Sequence, residues 1–221
     1  MNGFTDKPTS TLDEDSFGVK QYIAGLKEFI MECNTPMTIA IQGDWGSGKT
    51  SMMNMIREQL GDRVITTWFN TWQYSQFNMG DALAVSFLSR LIADLETDCD
   101  QKDGSSKKVW KTIWRIFKTT GIIAADTFVS EKAAEAIQNG LSAGSEQHEV
   151  DMPQAINELK EQFENIVKNK VEKFGKDRLV IFIDDLDRLH PGKAVELLEV
   201  LKLFLDCDKC VFVLAIDYAV V

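Results

Sequence analysis

Apolar positions along the chain follow two rhythms, one helical and one of unbroken buried strands. Residues 19–31 (VKQYIAGLKEFIM) set Tyr22, Leu26, Phe29 and Ile30 at helical spacing and predict a helix. The short run MTIAIQ, residues 37–42, predicts a strand, and the glycine turn after it leads into a second apolar helix. Residues 63–69 (RVITTWF) are rich in β-branched and aromatic side chains and read as a second strand, followed by a helix over residues 81–95. Asp151 is the expected N-cap of a long helix that carries Ile156, Leu159, Phe163, Ile166, Val167 and Phe174 on one face and ends at Gly175. Two continuous apolar runs close the chain, LVIFI before Asp184 and VFVLAI before Asp217, with a helix opened by Pro191 between them. Strands without polar alternation are buried on both faces, as in a mainly parallel sheet covered by helices, so the fold class is α/β. The chain shows no internal repeat.

Between residues 98 and 149 this rhythm breaks, and the stretch reads as an insertion. Within it, residues 107–118 place Trp110, Ile113, Trp114 and Phe117 on one helical side and Lys108, Lys111, Arg115 and Lys118 on the other. Two readings stand. The stripe lies on an anionic membrane with its basic face toward the headgroups, or it packs on the protein body with the basic face against acidic surface.

With 221 residues and 44% hydrophobic content, the chain can bury a sizeable core. A formal charge of -10 and a pI near 4.8 argue against broad attraction to nucleic acid, though not against a local basic patch. Four cysteines and a polar, acidic start unlike a signal or transit peptide point to a reducing, cytoplasmic setting, with peripheral membrane association through residues 107–118 as the alternative. No window reaches the roughly 18 apolar residues of a membrane span. Cys207 and Cys210 (CDKC) could suggest a metal or redox pair, but Cys33 and Cys99 lie far off in sequence, and the pair reads better as a turn and a strand start.

The chemistry concentrates in GDWGSGKT. A strand that stops at a glycine turn and restarts as a helix points unpaired amides and the positive end of a helix dipole outward, where anions bind. Gly43, Gly48, Lys49 and Thr50 fit the phosphate-binding spacing G-x-x-x-x-G-K-[ST], in which the lysine reaches the outer phosphates and the hydroxyl ligates magnesium. The candidate nucleotide-binding residues are Gly43, Asp44, Trp45, Gly46, Ser47, Gly48, Lys49, Thr50 and Ser51. Magnesium on phosphates needs a carboxylate at the end of a neighbouring strand, and Asp184 ends LVIFID. Side chains alternate along a strand, so Asp184 and Asp185 would point different ways, Asp184 to the metal and Asp185 to the attacking water. The plainer alternatives are a chance glycine turn and two surface aspartates capping a turn.

Together GDWGSGKT, FNTWQYS and IDDLDR resemble the KAP family of P-loop NTPases, from about residue 15 to the last residue. The resemblance implies ATP rather than GTP, and neither D-x-x-G after the loop nor N-K-x-D occurs in the chain. It implies an additional-strand sheet ordered 5-1-4-3-2, with variable insertions between the Walker A and Walker B motifs, where residues 98–149 fall. Because the chain stops at Val221, just past the fourth strand, it is read as a polar leader (1–14) and an incomplete NTPase domain (15–221) whose fifth strand lies outside it. That strand would flank the first, so the edge MTIAI is expected to be exposed and the chain to self-associate. By analogy with related NTPases, Asp217 at the end of the fourth strand is a candidate γ-phosphate sensor. Arg188 either pairs with Asp187 at the surface or acts across subunits as an arginine finger. The dense aromatics Trp68, Phe69 and Trp72 read as packing or loop anchoring, while Asn70 could face the phosphates.

The implied function is a magnesium-dependent ATP-hydrolysing switch with Lys49 and Asp185 as catalytic residues. Some bacterial family members are linked to phage exclusion, which suggests a defence or signalling assembly. A scaffold that binds ATP with little turnover and a DNA-associated motor are the rival readings, the acidic charge weighing against the motor.

Overall fold

The computed structural model describes residues 7–75, 83–96, 108–109, 111–113, 115–116 and 151–218. Its framework is α1 (Lys20–Glu32), β1 (Met37–Gln42), α2 (Lys49–Leu60), β2 (Ile65–Asn70), α3 (Thr71–Ser75), α4 (Leu83–Glu96), α5 (Met152–Lys173), β3 (Leu179–Asp184), α6 (Pro191–Lys202) and β4 (Cys210–Ile216). The four strands form one parallel sheet in the order β1-β4-β3-β2. A fifth strand beside β1 is not among the described residues.

The apolar runs explain which strands lie in the middle. Every residue of β3 is buried, as is every residue of β4 except Ile216. Alternate side chains serve two cores. Leu179, Ile181 and Ile183 join Cys210, Phe212 and Leu214 against α4, α5 and α6. Val180, Phe182, Val211, Val213 and Ala215 face the other way, toward Ile23 and Ile30 of α1 and Met53 and Ile56 of α2. Each fully buried side chain of this size contributes roughly 1.5–3 kcal/mol. β1 sits at an edge and alternates, with Thr38, Ala40 and Gln42 exposed.

Caps and ties set the helix ends. Asp151 accepts from Gln154 N at 3.3 Å as N-cap of α5, and Gly175 takes the left-handed conformation just beyond that helix. Arg178, just before β3, donates Nη1 to Ile30 O (2.7 Å) and Cys33 O (3.0 Å), satisfying carbonyls at the end of α1.

One expectation needs correction. In α1 the buried residues are Ile23 and Ile30, while Tyr22 and Phe29 are exposed. Aromatic spacing marked the helix but not its inner face. The described part of the leader lies along α2: Thr9 N donates to Ser51 Oγ (3.1 Å), Asn54 Nδ2 to Thr9 O (3.3 Å) and Leu12 N to Glu58 Oε2 (3.0 Å). Part of the stretch 98–149 reaches the core. The residues described within 108–116 are mostly helical, and Val109, Ile113 and Ile116 enter the core of α4 and α5. Arg115 pairs with Glu158 of α5 at 2.5 Å. Among the described residues of this segment, Val109, Thr112, Ile113 and Ile116 are buried. Trp110, Trp114, Phe117 and Cys99 lie outside the described residues. No helix among the described residues is long and apolar enough to cross a membrane.

Cys207 lies in the turn after α6 and Cys210 begins β4, both as buried free thiols. Its hydrogen bond with Cys207 and then burial hold the Cys210 thiol well above the usual range.

Candidate functional site

All four strands deliver residues of interest at their carboxyl ends, the edge at which parallel α/β sheets place ligands. β1 runs into Gly43, whose N–H donates to Ile216 O at 3.2 Å and ties the loop to the end of β4. The chain then turns through Asp44, Trp45, Gly46 and Ser47, with Ser47 N donating to Asp44 O (3.1 Å), to Gly48, the N-cap of α2. Glycine suits the loop's backbone, and Gly46 has φ +79°. Gly48 has φ +90°, and a Cβ on Gly43 would run into Ser47 Oγ. Trp45 projects from the loop, 77% exposed.

Lys49 is the first residue of α2, and its ammonium folds back over the loop. Nζ donates to Gly43 O at 2.7 Å and to Asp44 O at 3.2 Å, and forms an ion pair with Asp187 Oδ2 at 2.8 Å. Its neighbour Thr50 donates Oγ1 to Asp184 Oδ1 at 3.2 Å. Lys49, Thr50 and two carboxylates, Asp184 and Asp187, are thus neighbours at the ends of β1 and β3. Ser51 points elsewhere, its hydroxyl taken by Thr9 N.

Asp184 is buried at the end of β3. Its Oδ1 also accepts from Asp185 N (2.9 Å), and Oδ2 is buried with no hydrogen-bond partner among the described residues. Burial, with the Asp185 charge adding, pushes its carboxyl above the ordinary range, against the hydrogen bond from Thr50. A cation at Oδ2 would reverse that balance.

The two aspartates diverge for a reason other than strand alternation. The strand ends at Asp184, and Asp185 adopts left-handed φ 60°, ψ 28°, a conformation costly for a non-glycine residue. Asp185 is held there from both sides. Asn70 Nδ2 donates to Oδ2 at 2.7 Å, and Arg188 Nε contacts Oδ1 at 2.7 Å. Asn70 ends β2 opposite Asp184 in register, and its Oδ1 accepts from Gln73 N (3.0 Å), which orients the amide with Nδ2 toward Asp185. Thr71 Oγ1 adds a bond to Asp184 O at 3.0 Å. The F-N-T-W stretch thus anchors the acidic turn: Phe69 and partly Trp68 are packed, while Trp72 lies beneath the Arg188 guanidinium at 5.0 Å.

The expected pairing of Arg188 with Asp187 is not what forms. Arg188 goes to Asp185 and Asp187 goes to Lys49. A 3-10 turn over Leu186–Arg188 brings residues three apart back over each other, returning Asp187 to the strand end where the loop lysine lies. The spacing from Asp184 was the available signal. Asp217 follows β4 directly and is half-buried, one residue beyond the carbonyl that holds Gly43.

A family model, the KAP family P-loop domain, matches residues 19–221. The chain belongs to the KAP family. No curated protein matches it. Membership supports nucleotide binding by this KAP domain in general. The residues present also fit a divalent cation beside the phosphates. Thr50 Oγ1 and the Asp184 carboxylate adjoin, and Asp184 Oδ2 is a buried oxygen acceptor without a hydrogen-bond partner among the described residues, the hard ligand that magnesium prefers.

Proposed function

We propose that this KAP domain is a magnesium-dependent, ATP-hydrolysing switch. The observation that supports it best is the convergence of Lys49, Thr50 and the orphaned Asp184 Oδ2 at one sheet edge. In this reading the amides of residues 43–51 cradle the phosphates, and Lys49 supplies the point charge for the outer ones. Thr50 and Asp184 would hold magnesium, which when bound neutralises charge on the phosphates. Asp185 orients the attacking water, and Asp217 reports on the γ-phosphate. Membership of the KAP family supports a bacterial defence or signalling assembly as the setting.

A second reading, an ATP-dependent scaffold with little turnover, draws on one observation. Both oxygens of Asp185 are already engaged, by Asn70 and Arg188, which would restrain a water-orienting carboxylate. Phosphate release, measured with and without DNA, separates switch, scaffold and motor. Lys49→Ala should abolish binding of labelled ATP, and equal affinity would sink the assignment. Asp185→Asn should keep binding and slow turnover by roughly 10²-fold or more. Normal hydrolysis by that variant would remove Asp185 from the chemistry.

A further inference from the structure

We propose that Asp187 is a resident counter-ion which occupies Lys49 before nucleotide binds and sets nucleotide affinity by competing with the phosphates. The inference rests on the nucleotide-binding reading and adds a device that regulates the same site. An ammonium has three N–H donors. Those of Lys49 have three acceptors, Gly43 O, Asp44 O and Asp187 Oδ2. A phosphate oxygen can reach Nζ only by displacing one of them. Of the three, Asp187 alone is charged, and it lies on a separate element from the loop that must cradle the phosphates.

The pair is well shielded, the side chains being 9% and 6% exposed, so solvent screens it far less than a surface pair. That shielding also makes phosphate and Asp187 incompatible neighbours. Two anions on one ammonium in a poorly solvated space repel each other, and the carboxylate must give way. The turn is built to hold Asp187 in place until then. Leu186 is buried in the core, Arg188 N donates to Asp185 O (3.1 Å) and Leu189 N to Leu186 O (3.3 Å). The same turn carries Arg188, whose guanidinium holds Asp185. Expulsion of Asp187 therefore reaches the second aspartate through three residues, and linkage requires that anything holding Asp187 on Lys49 oppose nucleotide equally.

Asp187→Asn keeps the shape and removes the charge, with Asp187→Ala as a second variant should the first fold poorly. Two measurements on the whole chain test the proposal. Without nucleotide, acetylation of Lys49 by a succinimidyl ester, followed by peptide mass spectrometry, should run several-fold faster in Asp187→Asn than in the parent. With magnesium and ATP, calorimetry should show Kd falling by about tenfold, since an affinity lowered by a closed state recovers when that state is removed. Unchanged Lys49 labelling overturns the latch whatever nucleotide does. Faster labelling with ATP affinity unchanged or weaker shows that Asp187 does not compete, and also overturns it. Faster labelling with no ATP binding by parent or variant would instead defeat the nucleotide-binding reading, and the proposed gate with it.

Discussion

Asn70→Ala is the sharpest test of how the acidic turn is supported. Its amide serves two elements at once, donating to Asp185 Oδ2 at 2.7 Å and accepting from Gln73 N at 3.0 Å. A hydrogen bond to a charged group contributes about 1.5–3 kcal/mol. Loss of an N-cap costs about 1 kcal/mol. Alanine should thus destabilise the domain by about 2.5–4 kcal/mol, an effect seen mainly for buried polar networks. Asn70→Asp separates the two contributions, because aspartate caps as well as asparagine yet sets a carboxylate against Asp185. Combining it with Asp185→Asn restores a donor and an acceptor in reversed order, so the double variant should be more stable than the sum of singles by about 1.5–3 kcal/mol. Urea unfolding followed by tryptophan fluorescence measures all four proteins. A cost below about 0.5 kcal/mol for Asn70→Ala, the range of an indifferent surface site, would refute the reasoning.

Other consequences follow from the loop, the edge strand and the basic helical stretch. Gly48→Ala should cost about 1–2 kcal/mol of stability, because φ +90° is strained for any residue with a Cβ, and a melting temperature equal to the parent's would contradict this. The edge of β1 should drive association at high protein concentration, and light scattering that reports a stable monomer there counts against it. Flotation with anionic or neutral liposomes should recover no protein, since Val109, Ile113 and Ile116 are buried and Arg115 pairs with Glu158. Binding that needs anionic lipid, weakens with salt and vanishes in Lys108→Glu/Lys111→Glu would support the membrane alternative.

Local pattern was enough for the elements and for half of the site. Uninterrupted runs such as LVIFI announced strands buried on both faces, because no polar position was left for solvent. The spacing from Gly43 to Thr50 announced the loop, because backbone amides and one lysine act within a few residues of each other. Where a choice depended on what another element presents, sequence could not make it. The stripe in residues 19–31 named Ile30 but not Ile23, and included the exposed Tyr22 and Phe29, since the inner face depends on where α2 lies. What the insertion packs on stayed open because its link to the core is tertiary, through α4 and α5. The partners within IDDLDR were open for the same reason. Four neighbouring charged residues could pair in several ways, and the choice was made by chain 138 positions away at Lys49 and 115 away at Asn70, brought to the same strand ends only by the sheet.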